Sequence, residues 1–210
     1  MTTEPEHSLE IERKYDVADD TPLPDWAALP GVAAIDEPEP RDLDARYLDT
    51  ADGALGRARV ALRRRVGGPD EGWHIKRVTP AGKAESRWPL DEADAAAEPV
   101  VPTAIVEVLA EIASPPFTVL ARIRNSRTAY ALRDAAGGLV AEFVDDRVTA
   151  TDERAGRSSS WREWELELGP AAPADEAGRD ELFARADELV DAVGGRVAAS
   201  GSKLGRALGL

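Results

Sequence analysis

Apolar and charged residues alternate one by one in several short runs of this chain, a period of two that belongs to β-strands. Leu9, Ile11 and Tyr15 interleave with Glu10, Glu12 and Lys14. Near the other end Trp164, Leu166 and Leu168 interleave with Glu163, Glu165 and Glu167. Between them, the alternation predicts strands over 45–49, 60–66, 72–78, 83–90, 118–132 (two strands or one long bent one) and 139–145. Gly67-Gly68-Pro69-Asp70 and Pro80-Ala81-Gly82 read as hairpin turns. A period near 3.6 marks helices at Thr103–Ile112, ended by Pro115-Pro116, and at Ala174–Val193. A short helical piece is expected around Trp26–Leu29 and a last helical turn at Ser202–Leu208. The stretches 91–99 and 152–160 read as loops, and residues 1–7 as a flexible N-terminus before one domain over 8–208.

Many antiparallel strands with a few helices set apart predict an α+β protein built on a β-barrel. The barrel is unusual in having two occupied faces. One is apolar and suits a cover of helices; the other is charged and implies a polar, open interior.

Glu10 and Lys14 could also form an i,i+4 pair on a helix surface, but strict alternation in both acidic runs decides for strands. Residues i and i+2 of a strand lie roughly 7 Å apart on one face. Glu10 and Glu12, and likewise Glu163, Glu165 and Glu167, therefore stack as repelling carboxylates that call for a cation among them. Hard oxygen ligands suit Mg²⁺ or Mn²⁺. Parity also places Arg63 and Arg65 opposite Val60, Leu62 and Arg64. His74 and Lys76 lie opposite Trp73 and Ile75, and Lys83, Glu85 and Arg87 share a third face. Guanidinium forks match phosphate oxygens bidentately, so acids that hold a metal, facing these bases, suit a phosphate chain.

Composition narrows the field. The 210 residues are 43% hydrophobic, enough for a core, and the formal net charge of −14 argues against a general nucleic-acid-binding surface. There is no cysteine, which excludes thiolate chemistry and suits a reducing compartment. No apolar run reaches the length of a membrane span. The expectation is a cytoplasmic protein without a membrane partner.

Taken in order, these motifs resemble the CYTH domain, the triphosphate tunnel metalloenzyme superfamily. The Glu-x-Glu-x-Lys element stands as Glu10–Lys14, and Leu-Arg-x-Arg as Leu62–Arg65. The strand ending in lysine is Trp73–Lys76, and basic-x-Glu is Lys83–Glu85. Arg127–Tyr130, Val144–Val148, Glu163–Glu167 and Ser202-Lys203 follow. The resemblance implies an eight-stranded antiparallel barrel forming a tunnel that binds triphosphates with Mg²⁺ or Mn²⁺. It implies metal ligands among Glu10, Glu12, Glu85, Asp145, Glu163, Glu165 and Glu167. Phosphate contacts would come from Lys14, Arg63, Arg65, Lys76, Arg87, Arg127 and Lys203, and catalytic roles would fall to Glu12, Lys14 and Glu165. Asp145 would need a bulge or strand end, because plain parity puts Asp146 with Val144 and Glu142. The ending Ser-Lys-Leu-Gly-Arg-Ala-Leu resembles bacterial members followed by a helical CHAD domain, which is expected to be absent here. Hydrolysis of inorganic tripolyphosphate is the leading expectation. Cyclisation of ATP, hydrolysis of thiamine triphosphate and a non-catalytic polyphosphate-binding module are its alternatives. His74 is expected to be a hydrogen-bonded strand residue.

Overall fold

The computed structural model describes residues 4–80, 82–91 and 98–210. Its strands are β1 (Glu6–Glu10), β2 (Glu12–Val17), β3 (Ala34–Ile35), β4 (Glu39–Asp49), β5 (Val60–Val66), β6 (Gly72–Thr79), β7 (Gly82–Trp88), β8 (Thr118–Arg133), β9 (Leu139–Asp152), β10 (Arg157–Leu168) and β11 (Arg196–Val197). The helices are α1 (Ala54–Arg57), α2 (Thr103–Leu109), α3 (Glu176–Ala192) and α4 (Lys203–Leu208), with a 3-10 turn at Trp26–Ala28.

The strands form one antiparallel sheet in the order β1-β7-β6-β5-β4-β8-β9-β10-β2-β11, with the short β3 against β8. The first stretch of chain closes it into a barrel. β1 pairs with β7 at one edge, and after a break at Ile11 the same stretch, now β2, pairs with β10 at the other. The Ile11 carbonyl accepts the Leu168 N–H at the break. With β1 and β2 taken as one bent strand, eight long strands ring the interior. Closure matters energetically, because it leaves no long unpaired edge.

The outer face is apolar and helix-covered in two sectors. Leu182, Phe183, Ala186 and Val190 of α3 pack on Tyr15, Phe143, Trp164 and Leu166. Leu55, Ile105 and Leu109 from α1 and α2 pack on Leu62, Trp73, Ile75 and Trp88. A fully buried aromatic of this kind contributes about 1.5–3 kcal/mol by leaving water. A third cluster departs from the expectation of a wholly polar interior. Ala45, Tyr47, Ile123, Val148 and Ala150 gather with Leu204 and Ala207 of α4. These strand residues share the interior parity, so α4 covers one end of the tunnel with an apolar contact. Ser202 caps α4 by accepting the Gly205 N–H at 3.0 Å.

Several boundaries differ from the sequence reading. β1 begins at Glu6, inside the segment assigned to a flexible terminus, because Glu6 and His7 pair with Arg87 and Ser86. The expected loop over 152–160 is mostly strand. β9 runs to Asp152 and β10 starts at Arg157, leaving a tight turn. The Ser158–Ser160 run looked like loop because both of its faces are polar at the end of the ribbon. β8 is one strand of 16 residues. The β5–β6 turn needs its glycines: Gly67 and Gly68 have φ of 85° and 78°, and a Cβ on Gly67 would lie 2.1 Å from the Asp42 carbonyl oxygen. Most of the loop expected over 91–99 lies outside the described residues.

Candidate active site

The tunnel encloses a cavity of about 120 Å³ lined by Glu10, Glu12, Lys14, Tyr47, Arg63, Arg65, Lys76, Lys83, Arg127, Glu165, Glu167 and Lys203, among others. Alternation explains the convergence. Every second residue of each strand points inward, and the register sets which of them meet. Glu165 lies opposite Lys14, Glu167 opposite Glu12, and Arg63 opposite both Tyr47 and His74.

One wall, from β1, β2, β9 and β10, is acidic. Asp146, Glu163 and Glu165 are all buried and offer carboxylate oxygens within 4.8 Å of one another. The Lys203 ammonium sits among them, 2.8 Å from Asp146, 2.7 Å from Glu163 and 2.6 Å from Glu165. Lys14 bridges Glu12, at 3.0 Å, and Glu165. Lys76 holds Glu10 at 2.6 Å, and Lys83 holds Glu12 at 2.5 Å. Burial alone would raise Glu165, but Lys14, Lys203 and Arg127 outweigh it and hold the carboxyl well below its usual range. Glu167 has no such partner among the described residues. Its carboxyl is enclosed by protein on the cavity side although the residue is exposed at the mouth. Burial, then the facing Glu10 and Glu12, push it up to about 7.

The other wall, from β4, β5 and β6, is basic and under-satisfied. Arg63 reaches Tyr47 and Glu85 only at 3.4 Å. The buried Nε atoms of Arg63 and Arg65 have no hydrogen-bond partner. Burial, with Arg63 and Arg127 nearby, pushes the Arg65 guanidinium down to about 9. Arg65 also pairs with the half-exposed Asp70, whose carbonyl accepts from it at 3.0 Å. Buried donors left unsatisfied, as the two Nε atoms are, are costly unless an acceptor arrives. His74 is fully buried and donates from Nδ1 to Glu85 at 2.6 Å. Burial and Arg63 push it down to about 3, so it is neutral, a hydrogen-bonded strand histidine that steadies Glu85 behind Arg63. Arg127 joins the two walls: it makes a fork to Asp146 at 2.8 and 2.7 Å and reaches Glu165 at 3.0 Å.

Most of the residues singled out by sequence therefore meet, and three need comment. Asp145 lies on the outer face, bonded to Arg162 at 2.8 and 2.9 Å and to the Trp164 indole at 3.1 Å. No bulge interrupts β9–β10 pairing there, so plain parity holds and Asp146 is the inward aspartate. Arg87 lies outside the central cavity, at the mouth, paired with Glu6. Glu85 stands among cations on the basic wall, where Lys76 links it to Glu10. Tyr47 was missed: it follows Ala45 on the inward face of β4, a signal that parity alone carries.

The donor set fits a hard divalent cation. Three buried carboxylates already converge on a cation, the Lys203 ammonium, at ligand-like spacing, and oxygen-only donors suit Mg²⁺ or Mn²⁺.

Residues 8–190 match the model of the CYTH domain family, so the chain belongs to that family. It is 38% identical over 220 residues to an uncharacterized protein of Mycobacterium tuberculosis, MT2285 in strain CDC 1551 / Oshkosh and Rv2226 in strain ATCC 25618 / H37Rv. That alignment covers 98% of this chain but only 41% of the relative. Among solved structures it resembles an adenylate cyclase-like protein of Bacillus halodurans (TM-score 0.64, 18% identity, 95% of this chain and 97% of that one). It also resembles HpAC1 of Hippeastrum, an adenylyl cyclase-like protein described as having a dominant triphosphatase activity (TM-score 0.61, 18% identity, 96% of each chain). At that identity the two show the fold. No helix among the described residues is long and apolar enough to cross a membrane.

Proposed function

We propose that this protein hydrolyses linear triphosphates with the help of Mg²⁺ or Mn²⁺, inorganic tripolyphosphate foremost. The observation that carries this reading is the pair of buried guanidinium Nε donors on Arg63 and Arg65 that have no hydrogen-bond partner, set across a small cavity from a carboxylate wall. Asp146, Glu163 and Glu165 would hold the divalent cation, with Glu10, Glu12 and Glu167 facing the same space. When bound, it supplies charge neutralisation at phosphate oxygens. The rest falls to side chains. Arg63 and Arg65 grip the chain of phosphates, Arg127 ties that grip to the acidic wall, and Lys76 adds point charge. Lys14 and Lys203, once released from the carboxylates, donate to phosphate oxygens as well. Glu165 stays ionised, so with Glu12 it can accept a hydrogen bond from the attacking water and aim it at the terminal phosphorus. Water forms the new P–O bond, the bridging P–O bond breaks, and phosphate and pyrophosphate leave. Catalysis is positioning and electrostatic stabilisation.

The wall chemistry also favours an inorganic chain over a nucleotide. Tyr47 is the sole aromatic lining the cavity among the described residues. Trp26, Trp73, Trp88 and Trp164 are buried in the outer clusters, unable to stack on a base. Incubation with Mg²⁺ and tripolyphosphate, ATP or thiamine triphosphate, with phosphate and cyclic AMP assayed, tests the reading. Tripolyphosphate is expected to exceed ATP in kcat/KM by at least about tenfold, or about 1.4 kcal/mol of transition-state discrimination. Equal rates would indicate a generalist, cyclic AMP as main product a cyclase, and binding without turnover a phosphate-chain binding module.

A further inference from the structure

One sector of the outer barrel face carries no helix among the described residues, and its chemistry is unlike the rest of this acidic molecule. On β8 and β9 the outward positions pair directly as Arg124 with Thr149 and Ser126 with Arg147. Two arginine and two hydroxyl residues thus occupy the corners of a rectangle, the arginines on one diagonal, with strands about 4.8 Å apart and successive outward residues roughly 7 Å apart. All four residues are exposed. They border a surface depression of about 450 Å³. The Arg124 side chain makes no hydrogen bond or ion pair among the described residues, and Arg147 reaches Asp19 loosely, donating to its carbonyl at 3.4 Å and approaching its carboxylate at 3.9 Å. The next row extends the charge: Arg46 lies directly opposite both Arg64 and Arg122. Asp44 flanks them: the Arg122 Nε donates to it at 3.0 Å, and Arg122, Arg46 and Arg124 together hold its carboxyl below the usual range. Asp42 and Asp44 are the acids at the rim. The net charge of the chain is −14, so a cluster of arginines and hydroxyls without lysine is a local inversion. Guanidinium and hydroxyl donors at this spacing are what phosphate oxygens accept from.

We propose that this outer face is a second anion site, an exosite for long-chain inorganic polyphosphate, centred on Arg124 and Arg147 with Ser126 and Thr149. The choice of a phosphate chain rests on the triphosphate reading of the tunnel. A nucleic acid is disfavoured because the described residues bordering the depression include no aromatic side chain on which bases would stack. The exosite holds the body of a long chain, and the tunnel acts on chain ends independently of it.

The test is direct binding of long-chain polyphosphate to the intact protein by calorimetry, with Arg124→Glu/Arg147→Glu as the variant. Both side chains are exposed, so folding should persist; Arg124→Gln/Arg147→Gln, with circular dichroism, guards against a folding artefact. The Glu variant is expected to lose at least about tenfold in affinity and to show a shallower salt dependence, the Gln variant a smaller loss. Neither should change tripolyphosphate turnover. Unchanged affinity in both variants would overturn the proposal, as would no binding by the wild type. Equal affinity for single-stranded DNA of matched charge would also overturn it, in favour of a general polyanion patch. Because the readout is binding, it stands apart from the hydrolysis assay: a protein that cleaves tripolyphosphate but binds no long chain loses the exosite alone.

Discussion

The two walls of the tunnel solve opposite electrostatic problems in different ways. On the acidic wall nearly every carboxylate has an internal lysine: Glu10 has Lys76, Glu12 has Lys14 and Lys83, and Asp146, Glu163 and Glu165 share Lys203. On the basic wall the ties are looser: Arg63 reaches Glu85 only at 3.4 Å, Arg65 pairs with the half-exposed Asp70, and the Nε of each has no hydrogen-bond partner. The difference has a physical root. Lysine is a flexible point charge that can swing to whichever acid is near, whereas guanidinium is a planar fork whose donors need an acceptor of matching geometry. In the proposed function the lysines hold the places of cations, and the two arginines take up an oxyanion. A site that neutralised both walls internally would fold more stably and bind less.

The largest expected effect comes from removing the residue at which the walls meet. Glu165→Gln leaves Lys14, Lys203 and Arg127 short of a counter-charge, and turnover of tripolyphosphate should fall by at least about 10²–10³-fold, read by phosphate release. If Glu165→Gln retained most activity, the acidic wall would have no catalytic part.

Next is the basic wall. Arg63→Ala and Arg65→Ala should each weaken triphosphate binding by about 1.5–3 kcal/mol, the usual worth of a charge-assisted contact. Arg64→Ala, outward and on the other parity, should leave binding within experimental error by calorimetry. A strong effect at Arg64 with none at Arg63 would mean the register assigned to β5 is wrong.

Neighbouring aspartates sharpen the same point. Asp146→Asn should impair activity, because Arg127 loses its fork. Asp145→Asn should lower Tm with kcat intact, because it loosens Arg162 on the outer face. A reversed pattern would put Asp145 inside.

The smallest effect is on stability and pH. Glu167 has a folded value of about 7, above its ordinary 4.5. The folded state therefore binds that proton more tightly. Metal-free protein should lose stability as pH rises from about 4.5 to 7 and carry the full cost above that. Glu167→Gln removes the cost, so its Tm should match the wild type near pH 4 and exceed it at pH 8. Saturating Mg²⁺ should narrow that gap. A gap that failed to open with pH would show that burial and the facing Glu10 and Glu12 do not raise Glu167.

How much of this was legible in the sequence follows from where the signal lies. Strands with one apolar and one charged face, such as Val60–Val66, announce both their type and their inward residues. The acidic runs and Leu62–Arg65 were readable for that reason. Asp146 was legible by parity and obscured by the motif, which pointed to its neighbour. The ribbon beyond Asp145 was not legible, because Thr149, Thr151 and Ser158–Ser160 bear no apolar alternation strong enough to separate strand from loop. The apolar floor under α4 was hidden too. Ala45, Ile123 and Ala150 look like ordinary core residues until the barrel closes and shows them to be inside. Pairing of each lysine with a particular carboxylate depends on register across strands far apart in sequence, which no local pattern encodes.

The most direct test of the two-wall account is tripolyphosphate hydrolysis by the same protein sample with Mg²⁺ and with excess chelator. The account predicts phosphate release with Mg²⁺ that collapses on chelation and returns when Mg²⁺ or Mn²⁺ is added back. An undiminished rate in chelator would contradict it, since the acidic wall would then be complete with its lysines alone.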